Sequence, residues 1–169
     1  FFKTALLKKV KSPTELVTGV IKLVGTYKFP KPGMLSYAEA TTLMGQSLFN
    51  PPTVEGWHTG KEWIDGGTLN ERVNFAVNEV SDPTKPGIRA VIDELRSEGH
   101  PLNHDEFVDR CLDLTGPVHV SDETRDGLIR YAESGGELNF ASKEKSDLST
   151  IRTVRMIQLI VASRDYQFA

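Results

Sequence analysis

The sequence predicts an all-α fold: an irregular bundle of about seven helices carrying one long loop rich in glycine and tryptophan. Three observations predict it. Apolar residues recur at helical spacing in one segment after another, the pattern of helices that bury a single face. Several of these segments open on Ser, Thr or Asn with Glu three residues later, the signature of a capping box. No segment alternates apolar and polar residues over the length of a half-buried strand, and Pro117-Val118-His119-Val120 is the one short β-like run.

The elements follow in order. Ser12-Pro13-Thr14-Glu15 combines a capping Ser, a Pro at the first helical position and a Glu that closes the box. Leu16, Val17, Val20, Ile21 and Val24 form its stripe, and Gly25 ends it. Ser36-Tyr37-Ala38-Glu39 repeats the box ahead of Ala40, Leu43, Met44 and Leu48. Thr68-Leu69-Asn70-Glu71 is a third box, with Leu69, Val73, Ala76, Val77 and Val80 as its stripe. Ile88, Val91, Ile92 and Leu95 mark a fourth helix, stopped by Gly99. Asn103-His104-Asp105-Glu106 caps a fifth through Phe107, Val108, Cys111 and Leu112, with Gly116-Pro117 as the breaker. Ser121 caps a sixth through Leu128, Ile129 and Ala132 to Gly135-Gly136. Ser146 or Asp147 caps the last, with Leu148, Ile151, Val154, Ile157, Ile160 and Val161 inside, and the polar stretch 137–145 before it reads as a mobile loop. The last helix is apolar around most of its circumference, so it is expected to be buried on several sides.

Bulk properties bound the function. The 169 residues suit one helical domain spanning 1–169, or the C-terminal lobe of a larger protein. A net charge of -3 supplies no field that draws nucleic acid, so no nucleic-acid partner is expected. Lys3, Lys8, Lys9 and Lys11 cluster near the start, a run better explained by a solvated helix end than by a phosphate track. Cys111 is the sole cysteine, which excludes an intrachain disulfide, and its helical spacing from Phe107 and Val108 reads as a buried structural thiol. No apolar run is long enough to span a bilayer. The chain begins Phe1-Phe2-Lys3 without an initiator Met or a signal peptide, as a piece of a longer product would.

The stretch from Gly45 to Arg72 is the most distinctive. It holds both tryptophans, Trp57 and Trp63, a Pro51-Pro52 step and the glycines Gly45, Gly56, Gly60, Gly66 and Gly67 between two helical segments. A loop this long inside a compact domain is usually functional. Its apolar residues, Phe49, Val54, Trp57, Trp63, Ile64 and Leu69, offset the entropy of ordering, so an ordered loop is expected, with Trp63 the more buried ring.

The run Gly45-Gln46-x-Leu48-Phe49-x-Pro51-Pro52-x-Val54-x-Gly56-Trp57-x-x-Gly60-x-x-Trp63-Ile64 resembles the bacterial family catalogued as domain of unknown function 1800. Lys11-Ser12-Pro13-x-Glu15-Leu16-Val17, Leu69-Asn70-Glu71-Arg72-Val73-Asn74-Phe75-Ala76 and Ile160-Val161-Ala162-Ser163-Arg164-Asp165-Tyr166-Gln167 agree with it in type and order. The resemblance runs the length of the chain and corresponds to the C-terminal portion of a typical member. It implies an exported protein in an extracytoplasmic setting, and it brings no established activity, catalytic residue or cofactor. Thr53 and Asp65 stand where the family more often has Asn, and His58 where it has Pro, departures that bear on what the loop would recognise.

Two readings of the loop are open. As a binding surface, Phe49, Trp57 and Trp63 would present flat faces to a sugar or another polymer, with His58, Lys61, Glu62 and Asp65 bonding its edges. As a scaffold, the two tryptophans would pin the loop to the helices, and Glu71 and Arg72 would tie it to the next one. No metal is expected. His100 and His104 are separated by Pro101 and lack the HExxH arrangement, and no acidic series follows a calcium loop. No nucleophile elbow or phosphate loop occurs, and no motif calls for a cofactor. Two functions follow as expectations. One is an interaction lobe that packs against an N-terminal lobe or another protein chain; the other is part of an extracellular polymer-binding protein or enzyme that uses the tryptophan loop.

Overall fold

The computed structural model describes residues 8–27, 29–116 and 118–169. Seven α-helices stand among them: α1 Pro13–Val24, α2 Leu35–Leu43, α3 Gly66–Val80, α4 Pro86–Ser97, α5 His104–Thr115, α6 Asp122–Ser134 and α7 Lys143–Ala162. Two 3₁₀ turns, Gly60–Trp63 and Asp165–Gln167, complete the list. The described residues contain isolated bridges and no strand, so the fold is an all-α irregular bundle.

Capping chemistry places most of the starts. The Ser12 hydroxyl accepts from the Glu15 N–H at 3.3 Å while Glu15 accepts from the Ser12 N–H at 2.8 Å. Asn103 and Glu106 make the same reciprocal pair at 3.0 Å each way, and Ser121 accepts from Thr124 N–H. Gly25 closes α1 with a φ of 64°, as a left-handed cap should.

Three expected starts shift. α2 begins at Leu35 behind Met34, and Ser36 sits inside the helix with its hydroxyl donating back to Gly33 O. Thr68 is the third helical residue of α3, and the cap is Asp65, whose carboxylate accepts from the Gly67 and Thr68 N–H groups at 2.8 Å each. The loop therefore ends at Asp65 and not at Arg72. α7 starts at Lys143 behind Ser142, one turn before Ser146. The 137–145 stretch is anchored: Leu138 is fully buried, exchanges both backbone bonds with Leu102 at 2.9 Å, and leads into Asn139, which trades bonds with the Ser149 hydroxyl. Val118–Val120 joins no bridge, and Pro117 and the Phe1–Lys3 start lie outside the described residues.

The core lies where α7 packs on α3, α5 and α6, with α1 against α3 and α4 on the other side. Met156, Ile157, Ile160 and Val161 fill it from α7; Leu16, Val17 and Val20 from α1; Ile88 and Leu95 from α4; Phe107, Val108 and Cys111 from α5. Leu148 and Ile151, expected inside, are exposed, because they lie off the face of α7 that carries the buried Ser149, Thr153, Met156 and Ile160. Arg152 from α7 caps the end of α6, donating to Ala132 O and Gly136 O at 2.8 Å each. α2 is peripheral. Thr41 is its one fully buried residue, and Leu35 and Leu43 face solvent. It is held by Tyr37, which meets Tyr27 and Phe75 edge-on at 5.6 and 6.0 Å.

Candidate functional site

The loop from Gly45 to Asp65 is built from its ends inward. At its entry, Gln46 accepts from both the N–H and the hydroxyl of Thr14, at 2.9 and 2.7 Å, which clamps it to the first turn of α1. At its exit, Thr68 donates to Trp63 O at 3.1 Å. Trp63 is 6% exposed and belongs to the core. Trp57 is half-buried, and its indole N–H donates to Ser47 O at 3.2 Å, which closes the loop on itself. The tip projects. Thr53 and Gly56 form a tight turn, Val54 on that turn is fully exposed, and Phe49 is 99% exposed. Phe49 and Val54, expected to help offset the entropy of ordering the loop, are exposed and bury no surface toward it.

Phe49 also has a φ of 60°, in the left-handed region that costs a non-glycine residue about 1–2 kcal/mol. A large apolar side chain held there without burial is the kind of outlier from which function is inferred.

The six candidate residues do not converge. Trp57, His58 and Trp63 line an open groove of about 470 Å3 with Glu15 and Gln46. Lys61 lines a neighbouring groove of about 680 Å3, which shares Lys8, Val10 and Gly60 with the first. Phe49 and Asp65 line neither. His58 pairs with Glu62 at 2.8 Å on the surface, and the Asp65 carboxylate is spent on the α3 cap. The N–H groups of Thr68 and Gly67 and the Thr68 hydroxyl hold Asp65 below the usual carboxylate range.

Arg72, Gln167 and Lys11 form a junction that the sequence reading did not single out. Arg72 is 0% exposed; its Nε donates to Gln167 Oε1 at 2.9 Å and its Nη2 to Lys11 O at 2.7 Å. It therefore ties α3 to both described ends of the chain rather than to the loop. Those ends are themselves paired: Lys11 N–H donates to Gln167 O and Ala169 N–H to Lys9 O, at 2.9 Å each. Lys11 lies 4.3 Å from the Tyr166 ring centre and donates to Tyr166 O. Burial lowers the Arg72 guanidinium to about 10, and burial and the charge of Arg72 lower Lys11. The sequence carried a signal, because Arg72 occupies a core-facing slot, three residues after Leu69 and four before Ala76.

Elsewhere the chemistry is quiet. No group of three or more His, Cys, Asp or Glu side chains among the described residues is placed to hold a metal. Cys111 is fully buried, and desolvation pushes its thiol well above the usual range, away from nucleophilic use. No helix among the described residues is long and apolar enough to cross a membrane.

A family model, described as protein of unknown function (DUF1800), matches residues 1–168. No curated protein and no solved structure matches the chain.

Proposed function

The chain belongs to this DUF1800 family, and we propose that it is the helical interaction lobe of an exported bacterial protein, docking on another protein chain or lobe through α2 and the tip of the tryptophan loop. One observation carries this. Phe29, Leu35, Leu43, Phe49 and Val54, all within residues 29–54, are large apolar side chains that face solvent. Single exposed hydrophobes are ordinary, but five of the nine large ones among the described residues fall within these 26 residues of chain, which supports a contact surface on that segment. The positive φ of Phe49 supports the same reading, since nothing in the fold requires phenylalanine there. The exported setting rests on the family resemblance alone.

The test is the Leu43→Ser/Phe49→Ser/Val54→Ser variant of the protein, isolated from cells that make it and sized under native conditions. The reading expects the wild type to run in a larger or more compact assembly, and the variant to lose it while keeping its helical signal. Identical behaviour of the two sinks the reading.

A second reading has one observation behind it. Trp57 lines an open groove beside Gln46, Glu15 and His58, the residue types that hold a sugar edge. It is the weaker reading, because the Trp63 ring is buried and the Trp57 N–H is already bonded. Saturable binding of a soluble oligosaccharide that Trp57→Ala abolishes would favour it.

A further inference from the structure

The 680 Å3 groove lies between the Gly60–Trp63 turn, the first turns of α3 and the C-terminal residues. Its floor is apolar, with Ile64, Leu69, Val73 and Phe168. Its charged described lining residues are Lys8, Lys61 and Arg164, and none is acidic. A groove of this size with an apolar floor and a few polar groups has the usual form of a small-molecule site.

The second observation lies directly behind it. Gln167 lines the groove, and its Nε2 is buried without a hydrogen-bond partner among the described residues. Its Oε1 holds Arg72, whose Nη1 is likewise buried and has no partner among the described residues. The two bonds Arg72 does make go to neutral oxygens, and no carboxylate offsets its charge among the described residues it bonds. Buried charges are ordinarily paired, and unsatisfied buried donors are few in native proteins. This corner of the fold is a positive, donor-rich wall beside an apolar floor.

We propose that this groove binds a single-chain amphipathic anion, an alkyl carboxylate whose chain lies over Leu69, Val73 and Phe168 and whose head is held by Lys61 and Arg164, in front of the buried Gln167 amide. The carboxylate meets Lys61 and Arg164, whose charge no acidic residue of the groove lining offsets, and the apolar chain accounts for a floor that water solvates poorly. The wall selects the head and the floor rewards the tail, so neither an alcohol nor an amine of the same length satisfies both.

The experiment is calorimetric titration of the full chain with dodecanoate below its micellar concentration, alongside dodecanol, dodecylammonium and dodecyl phosphate. Lys61 and Arg164 are exposed, so their variants keep the fold. The expected result is saturable one-to-one binding of dodecanoate, at least tenfold weaker in Lys61→Glu and in Arg164→Glu, with dodecanol weaker still and no binding of dodecylammonium. Leu69→Asp should weaken dodecanoate as well. Absence of saturable binding, equal binding of dodecylammonium, or unchanged binding in both charge reversals would overturn the proposal. Dodecyl phosphate binding tenfold more tightly than dodecanoate would overturn the choice of carboxylate.

Discussion

At the scale of single residues, the tryptophan loop divides its labour. Trp63 is a core residue and Phe49 a surface one, although both were candidates for the same binding face. Trp63→Ala should lose about 3–5 kcal/mol in equilibrium unfolding, the range for deleting a large buried aromatic. Trp57→Ala should cost less, since that ring is half-buried. Phe49→Gly should leave stability unchanged or raise it by up to about 1 kcal/mol, because it removes a left-handed phenylalanine that packs on nothing. A clear loss there would mean that the ring is pinned to the fold after all. Rings and their relative burial were legible in sequence, since Trp63 is followed by Ile64 and a helix start. The exposure of Phe49 was not, because apolar character alone does not say whether a side chain finds a neighbour. Arg72 was read as a tie between the loop and the next helix; its burial and its bonds to Gln167 and Lys11 were not legible, because only its slot in the α3 stripe argued for the core.

At the scale of elements, caps decide where helices begin, and local pattern identifies them when no competing cap lies nearby. Ser12 and Asn103 were legible because each has its Glu partner three residues on, and both caps adopt the extended backbone that the box requires. Thr68 satisfied the same pattern, but Asp65 stands three residues earlier and its carboxylate accepts two N–H groups. Ser142 was overlooked because Lys145, not an acid, follows it at the box position. Ser12→Ala and Asn103→Ala should each cost about 1 kcal/mol, whereas Ser36→Ala should fall within about 0.5 kcal/mol of wild type. Denaturant midpoints check all three together, and equal losses would contradict the assignment. α1 and α4 meet more closely than sequence reveals. A Cβ on Gly87 would stand 1.8 Å from Leu23 O, so Gly87→Ala must force the helices apart and should cost at least about 1–3 kcal/mol. A neutral Gly87→Ala would show that the two helices do not touch there.

At the scale of the whole molecule, the described ends of the chain and α3 are knitted at one corner, and the exposed apolar stretch lies elsewhere, on α2 and the loop tip. The helical fold class was legible because periodicity is local. The junction of Arg72, Gln167 and Lys11 was not, because its partners are 61 and 95 residues apart in sequence. Acid should weaken the whole assembly. Hydrogen bonding from Lys9 lowers Glu15, and the Thr84 hydroxyl lowers Asp82. Burial works against ionising Asp165, but the Ser121 N–H and hydroxyl outweigh it. Each folded-state value lies below its unfolded one, so the stability these groups contribute is present above about pH 4 and is lost as the pH falls through the depressed values. Denaturant midpoints that stay flat from about pH 6 to about pH 3 would contradict this. The contact surface itself is tested most directly by a photo-cross-linking amino acid placed at position 43, 49 or 54 of the protein in its own cells, with position 93 on α4 as the control. The prediction is cross-linked peptides from outside this chain at all three positions and none at position 93; adducts absent from 43, 49 and 54, or equally abundant at 93, would contradict it.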